Sequence, residues 1–203
     1  MMWGGIINNR IEATCQLGKE TPEKDLCLEY MAMSLMFLNR YAEALEYLQK
    51  LEEQLKKEGK ENQRLNLLLG FCYLKTGEIK KSDGCFDKAL AVIHPLIQTK
   101  PDITNPDLSY AITDRYWKFP YFILTSIYAV RGEKKNALDN LRFLREKFPA
   151  SDLQVVFLLK YWPMFDNIRN EPRFQDYLQA AESHYLKEHA RVEELLRKEE
   201  IIM

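Results

Sequence analysis

Apolar residues recur at helical rather than strand spacing along most of the chain, and three stretches repeat one plan. They are residues 25–58, 63–96 and 118–151. Each begins as an apolar helix with a small residue where a neighbouring helix must come close: Ala32, Gly70, Thr125. A larger apolar or aromatic residue follows three positions later: Leu35, Tyr73, Tyr128. Then comes a turn residue, Asn39, Gly77 or Gly132; glycine, and after it asparagine, enters the left-handed conformation that ends a helix cheaply. A second helix opens with another small residue, Ala44, Ser82 or Ala137. Apolar residues stand four and seven positions further on, as in the pairs Leu48 and Leu51, Phe86 and Ala89, Leu141 and Leu144. This 3.6-residue period predicts antiparallel helix pairs and an all-α fold. Pro149 closes the third stretch, since a helix cannot continue through it unbroken.

The repeat spacing is uneven. Ala32 and Gly70 are 38 residues apart and Gly70 and Thr125 are 55 apart, against about 34 for a regular helix-pair repeat. The surplus, about 21 residues, falls within 97–117. It predicts a loop over 99–106, around Pro101 and Pro106, and then a short helix running into the first helix of the third stretch. A surface insertion of this size is tolerated at little entropic cost; the alternative is a binding lip. Before the repeats, residues 6–19 suit a helix with Ile7, Ile11 and Cys15 on one face, and Thr21, Pro22 and Glu23 form a helix start. After them, Ser151 is placed to cap a helix reaching about Trp162, and Asn170, Glu171 and Pro172 open a long helix to about Glu200. That helix carries an apolar stripe, Phe174, Leu178, Ala181, Tyr185, Val192 and Leu195, interrupted at Glu188. The stripe either packs back on the repeats or forms a dimer seam.

The segments LLLGFCYLKTGE and YAVRGEKKNALDNLRFLREKFP resemble the tetratricopeptide repeat family. Leu28 and Asn66 stand where that family often has Trp, and Asn39 where it has the turn Gly. The closing segment, through Asp166, Arg169, Pro172, Arg173 and Phe174, resembles one that ends bacterial arrays of such repeats, with Phe165, Ile168 and Phe174 covering the last hairpin. The resemblance implies a single domain over 1–203, built as a right-handed superhelix of helix hairpins with a long C-terminal helix. It also implies a concave face that binds proteins or peptides. Mapped onto the chain, that face is lined by Tyr30, Met33 and Phe37 from the first repeat. The second adds Arg64, Leu67, Phe71, Leu74 and Lys75, and the third Phe122, Ser126 and Val130. A clamp for acidic tails would need more than Arg64 and Lys75. An apolar groove has to be filled, either by the chain's own N-terminal segment, insertion or final helix, or by a partner rich in apolar side chains.

Charge and candidate chemistry sharpen this picture by exclusion. With 29 Lys and Arg against 30 Asp and Glu, there is no basic footprint for nucleic acid. No run of 18 apolar residues spans a bilayer. The opening MMWGGIINNR lacks the basic start and apolar length of a signal peptide, so a cytoplasmic protein is expected, or a periplasmic one if an N-terminal part has been removed. Cys15, Cys27, Cys72 and Cys85 form no CxxC pair and read as buried thiols. His184 and His189 are five apart, off the three- or four-residue spacing that puts two ligands on one helix face. No nucleophile-elbow, phosphate-loop, dinucleotide or zinc-protease motif occurs. The expectation is a non-catalytic interaction scaffold with no cofactor, no metal and an unidentified protein partner. The alternatives are an accessory domain of a larger bacterial enzyme or regulator, a hydrolase or transferase site hidden from motif reading, and a structural homodimer with a self-filled groove.

Overall fold

The computed structural model describes residues 24–60, 62–98, 110–147 and 153–199; side chains at 24, 110–119, 145–147 and 153–155 fall outside the described set. The helix expected over 6–19, the start at Thr21–Glu23, the loop over 99–106, Pro149 and the cap at Ser151 lie outside it. Among the described residues there are eight α-helices, one short 3-10 turn and no strand. The chain divides into two compact units, Met1–Thr99 and Lys100–Met203.

The first unit is two helix hairpins. Helices α1 (Lys24–Phe37) and α2 (Tyr41–Lys57) form one, and α3 (Gln63–Lys75) and α4 (Ile79–Gln98) the other. α1 packs on α2, α3 on α4, and α3 on both α2 and α1. The hairpin turns are built on the residues singled out in sequence. Asn39 and Gly77 both have positive φ, 58° and 86°. In each turn the next backbone N–H reaches five residues back, Arg40 to the Leu35 carbonyl at 2.9 Å and Glu78 to the Tyr73 carbonyl at 2.8 Å. This is the paired bonding that satisfies the last carbonyls of a helix. The second helix of each pair starts on the same residue, because Ala44 N–H donates to the Arg40 carbonyl and Ser82 N–H to that of Glu78.

The small crossing residues Ala32, Gly70, Ala44 and Ser82 are all buried, and Leu48, Leu51, Phe86 and Ala89 fill the space between helices. Gly70 is required by contact: a Cβ there would lie 2.6 Å from the Phe86 ring. α3 is buried around its whole circumference, with every residue from Leu67 to Tyr73 in the core, as befits a helix enclosed by three others. Its start is capped by Asn62, whose side-chain oxygen accepts from the backbone N–H groups of Arg64 and Leu65 at 2.9 and 3.1 Å.

The second unit holds a third hairpin, α5 (Tyr110–Val130) and α6 (Lys134–Lys147), followed by α7 (Leu153–Tyr161), the 3-10 turn Pro163–Phe165 and α8 (Pro172–Lys198). Its turn repeats the others: Gly132 has φ 77° and Glu133 N–H donates to the Tyr128 carbonyl at 2.8 Å. Thr125, Ala137, Leu141 and Leu144 are buried. α5 begins beyond the expected loop and runs unbroken past Pro120, so residues 110–117 share one helix with the first helix of the third stretch.

The closing segment is tied down by side chains that finish other helices. Arg169 donates to the carbonyls of Leu159, Lys160 and Trp162, ending α7, and Asn167 donates to the Ala129 carbonyl near the end of α5 at 3.1 Å. Phe165, Ile168 and Phe174 are fully buried. The α8 start differs from expectation: Glu171, not Asn170, is the N-cap residue, with extended backbone and no side-chain cap. Pro172 occupies the first helical position, and a residue before proline is pushed into the extended region, which places the helix boundary there.

Candidate functional site

The residues mapped to a concave face divide between the two units and differ in access. In the first unit, Leu67 and Phe71 are 1% and 2% exposed and Met33 is also buried. These three are core side chains because the middle of α3, Leu67–Tyr73, is enclosed and Met33 turns towards it: Arg64 Nη2 approaches the Met33 sulfur at 3.0 Å. Surface remains at Tyr30, half exposed, at half-buried Phe37 and Leu74, and at exposed Lys75. Leu26, one turn before Tyr30 and also half exposed, belongs with them and was missed; its i, i+4 relation to Tyr30 was the available signal. In the second unit, Ser126 is fully buried, its hydroxyl donating to the Phe122 carbonyl at 2.9 Å. Phe122 packs edge-on against Phe165, with centroids 5.4 Å apart, and against Trp162; Val130 is half-buried.

The two candidate cations are both engaged from within. The Arg64 Nε forms an ion pair with Glu29, joining α3 to α1. Glu29 is largely buried and its Oε1 lacks a well-directed hydrogen bond; desolvation raises its carboxyl above the ordinary range, partly offset by the Arg64 charge. Lys75 Nζ stands 5.2 Å from the Phe71 ring centroid and 5.9 Å from that of Tyr41, and these two rings meet edge-to-face at 5.7 Å. Both contacts favour the cation over the ring face. The arrangement therefore offers a partner an aromatic and aliphatic surface with one accessible ammonium group, not a free pair of cations.

Thiol chemistry is disfavoured here. Burial pushes the Cys72 thiol up to about 12, and burial also raises Cys85, with Lys88 opposing; a nucleophilic thiol needs the reverse. Among the described residues no group of three His, Cys, Asp or Glu could hold a metal ion, and no helix is long and apolar enough to cross a membrane. No protein-family model matches the chain, and no curated protein or solved structure is significantly similar to it.

Proposed function

We propose that this chain is a non-catalytic interaction scaffold of tetratricopeptide-like helix hairpins, docking an apolar protein or peptide segment on the exposed side of α1 and the last turn of α3. The observation that carries this reading is the surface patch of Leu26, Tyr30, Phe37 and Leu74. Aromatic and aliphatic side chains held on packed helices supply contact area at low entropic cost. Three hairpins with the same turn geometry support a right-handed superhelical array. Cytoplasmic residence suits the free thiols Cys27, Cys72 and Cys85.

The test pairs Leu26→Glu and Tyr30→Glu with affinity capture and quantitative proteomics from the source cells. Both positions are exposed, so the fold is expected to survive and thermal unfolding to be unchanged. Specific partners are expected to drop out of the captured set. An unchanged partner set with intact fold overturns the reading.

A second reading, a homodimer joined through α8, is favoured by Val192 and Leu195, which share one face of the helix and are 45 and 46% exposed. Light scattering after size exclusion decides it. A mass near 24.0 kDa at micromolar concentration rules the dimer out.

A further inference from the structure

Away from the α1 and α3 surface, the first unit holds an open cleft of about 360 Å³ where the last turns of α2 and the second half of α4 flank the start of α3. Its floor is apolar, made by Leu55, Leu65, Ala91 and Val92. Its rim carries three ammonium groups from three separate segments: Lys56 from α2, Lys60 from the turn after it, and Lys88 from α4. Glu52 is the one carboxylate among the lining residues. Glu52 and Glu58 offset two of these charges, which leaves Lys88 as the uncompensated ammonium of the rim, and the positive end of α3, capped by Asn62, opens beside it.

Two of the lysines have local reasons to be there. Lys56 pairs with Glu52 at 3.0 Å and Lys60 with Glu58 at 2.6 Å, and both suit the negative end of α2. These pairs are solvent-exposed on the lysine side, so an incoming carboxylate exchanges for them at small cost. Lys88 is different. It sits mid-helix, with Gly84, Cys85, Ala91 and Val92 at the three- and four-residue spacings, and it forms no ion pair among the described residues.

We propose that this cleft is a second docking site, for a protein segment carrying an apolar side chain flanked by carboxylates; the proposal rests on the scaffold reading but uses a different surface. The apolar side chain lies over Leu55, Leu65 and Val92, and the carboxylates meet Lys88 and displace the partners of Lys56 and Lys60. A peptide suits the site better than a small molecule, because the cleft is open and a small ligand needs most of its surface enclosed.

Fluorescence anisotropy on the full chain tests this with a labelled peptide of Leu residues between pairs of Glu, beside the same peptide with Gln for each Glu. The Glu peptide is expected to bind saturably and to weaken as salt rises. Lys88→Glu is expected to lower its affinity about tenfold or more, through like-charge repulsion, while Lys88→Arg keeps it. Tyr30→Glu is expected to leave it unchanged. The proposal is overturned by equal binding of the Gln peptide, by indifference to Lys88→Glu with intact fold, by no saturable binding, or by inorganic phosphate displacing the peptide at matched concentration, which would mark a simple anion site. Cellular partners lost in Tyr30→Glu while peptide binding persists, or the converse, separates failure of this site from failure of the scaffold reading.

Discussion

Four single positions in the first unit carry consequences that can be measured. Gly70 lies under Phe86, and an added methyl group would stand 2.6 Å from a fully buried ring with nowhere to swing. Overpacking of this kind costs about 1–3 kcal/mol, more than the helix propensity gained on leaving glycine. Gly70→Ala is therefore expected to lower stability by about 2 kcal/mol in urea titration. Gly84, in the neighbouring helix with open space around it, gives the opposite sign: Gly84→Ala is expected to add about 1 kcal/mol. Ser82 is buried with a hydroxyl that finds no hydrogen-bond partner. An unsatisfied buried hydroxyl costs about 1–3 kcal/mol, so Ser82→Ala is expected to stabilise the chain, and a clear loss on calorimetry would show an overlooked bond. Glu29 acts through pH. Its carboxyl titrates above 4.5 in the fold because burial disfavours the charge, so the folded chain holds that proton more tightly than the unfolded one. Stability from this group is fully present below pH 4.5 and is lost as pH rises through the folded value. Glu29→Gln is expected to flatten that part of the curve of stability against pH; an unaltered slope would mean the carboxyl titrates normally.

At the level of helices, the turn signals were the most legible feature. Asn39, Gly77 and Gly132 all take positive φ, and the N–H of the residue after each bonds a carbonyl five residues back, because left-handed geometry at a helix end restricts which residues can stand there. Burial at the small crossing positions was legible for the same reason, since close approach admits only small side chains. The proposed binding face was less so. Helical period says which residues share a face, but not which face is outermost where the middle of a helix such as α3 is enclosed on every side, and Leu67 and Phe71 went into the core on that account. The cap residue of α8 was misread by one position because the constraint of Pro172 outweighs the capping preference of Asn170. The role of Arg169 depends on contacts seven to ten residues away that no local pattern displays. Its guanidinium finishes α7 by bonding three carbonyls, and charge-assisted bonds of this kind contribute about 1.5–3 kcal/mol. Arg169→Met keeps the aliphatic stem and removes the donors; it is expected to cost about 2 kcal/mol and to speed hydrogen exchange at Trp162 N–H, which closes α7 on the Leu158 carbonyl. Unchanged exchange there would mean water replaces the guanidinium without loss.

For the molecule as a whole, charge is balanced and the ion pairs are mostly at the surface. Arg173 with Asp139 and Lys134 with Glu171, both at 2.6 Å, join α8 or its cap to α6, while pairs such as Arg197 with Glu193 lie along one helix. Exposed pairs are worth about 0–1 kcal/mol each and weaken with salt. A net charge of −1 leaves no self-repulsion for salt to relieve. Raising ionic strength is therefore expected to lower the unfolding temperature by a few degrees at most, at about 2–4 °C per kcal/mol lost. A marked rise would reveal a patch of like charge that the balanced total conceals. The seat of Phe86 on Gly70 has a further consequence for how the chain finds one structure. One turn along α3 in either direction the ring would meet Asn66, Leu67, Tyr73 or Leu74, all of which carry side chains. The second hairpin thus has a single notch, and slippage of α4 along α3 ends in collision, not in an alternative register.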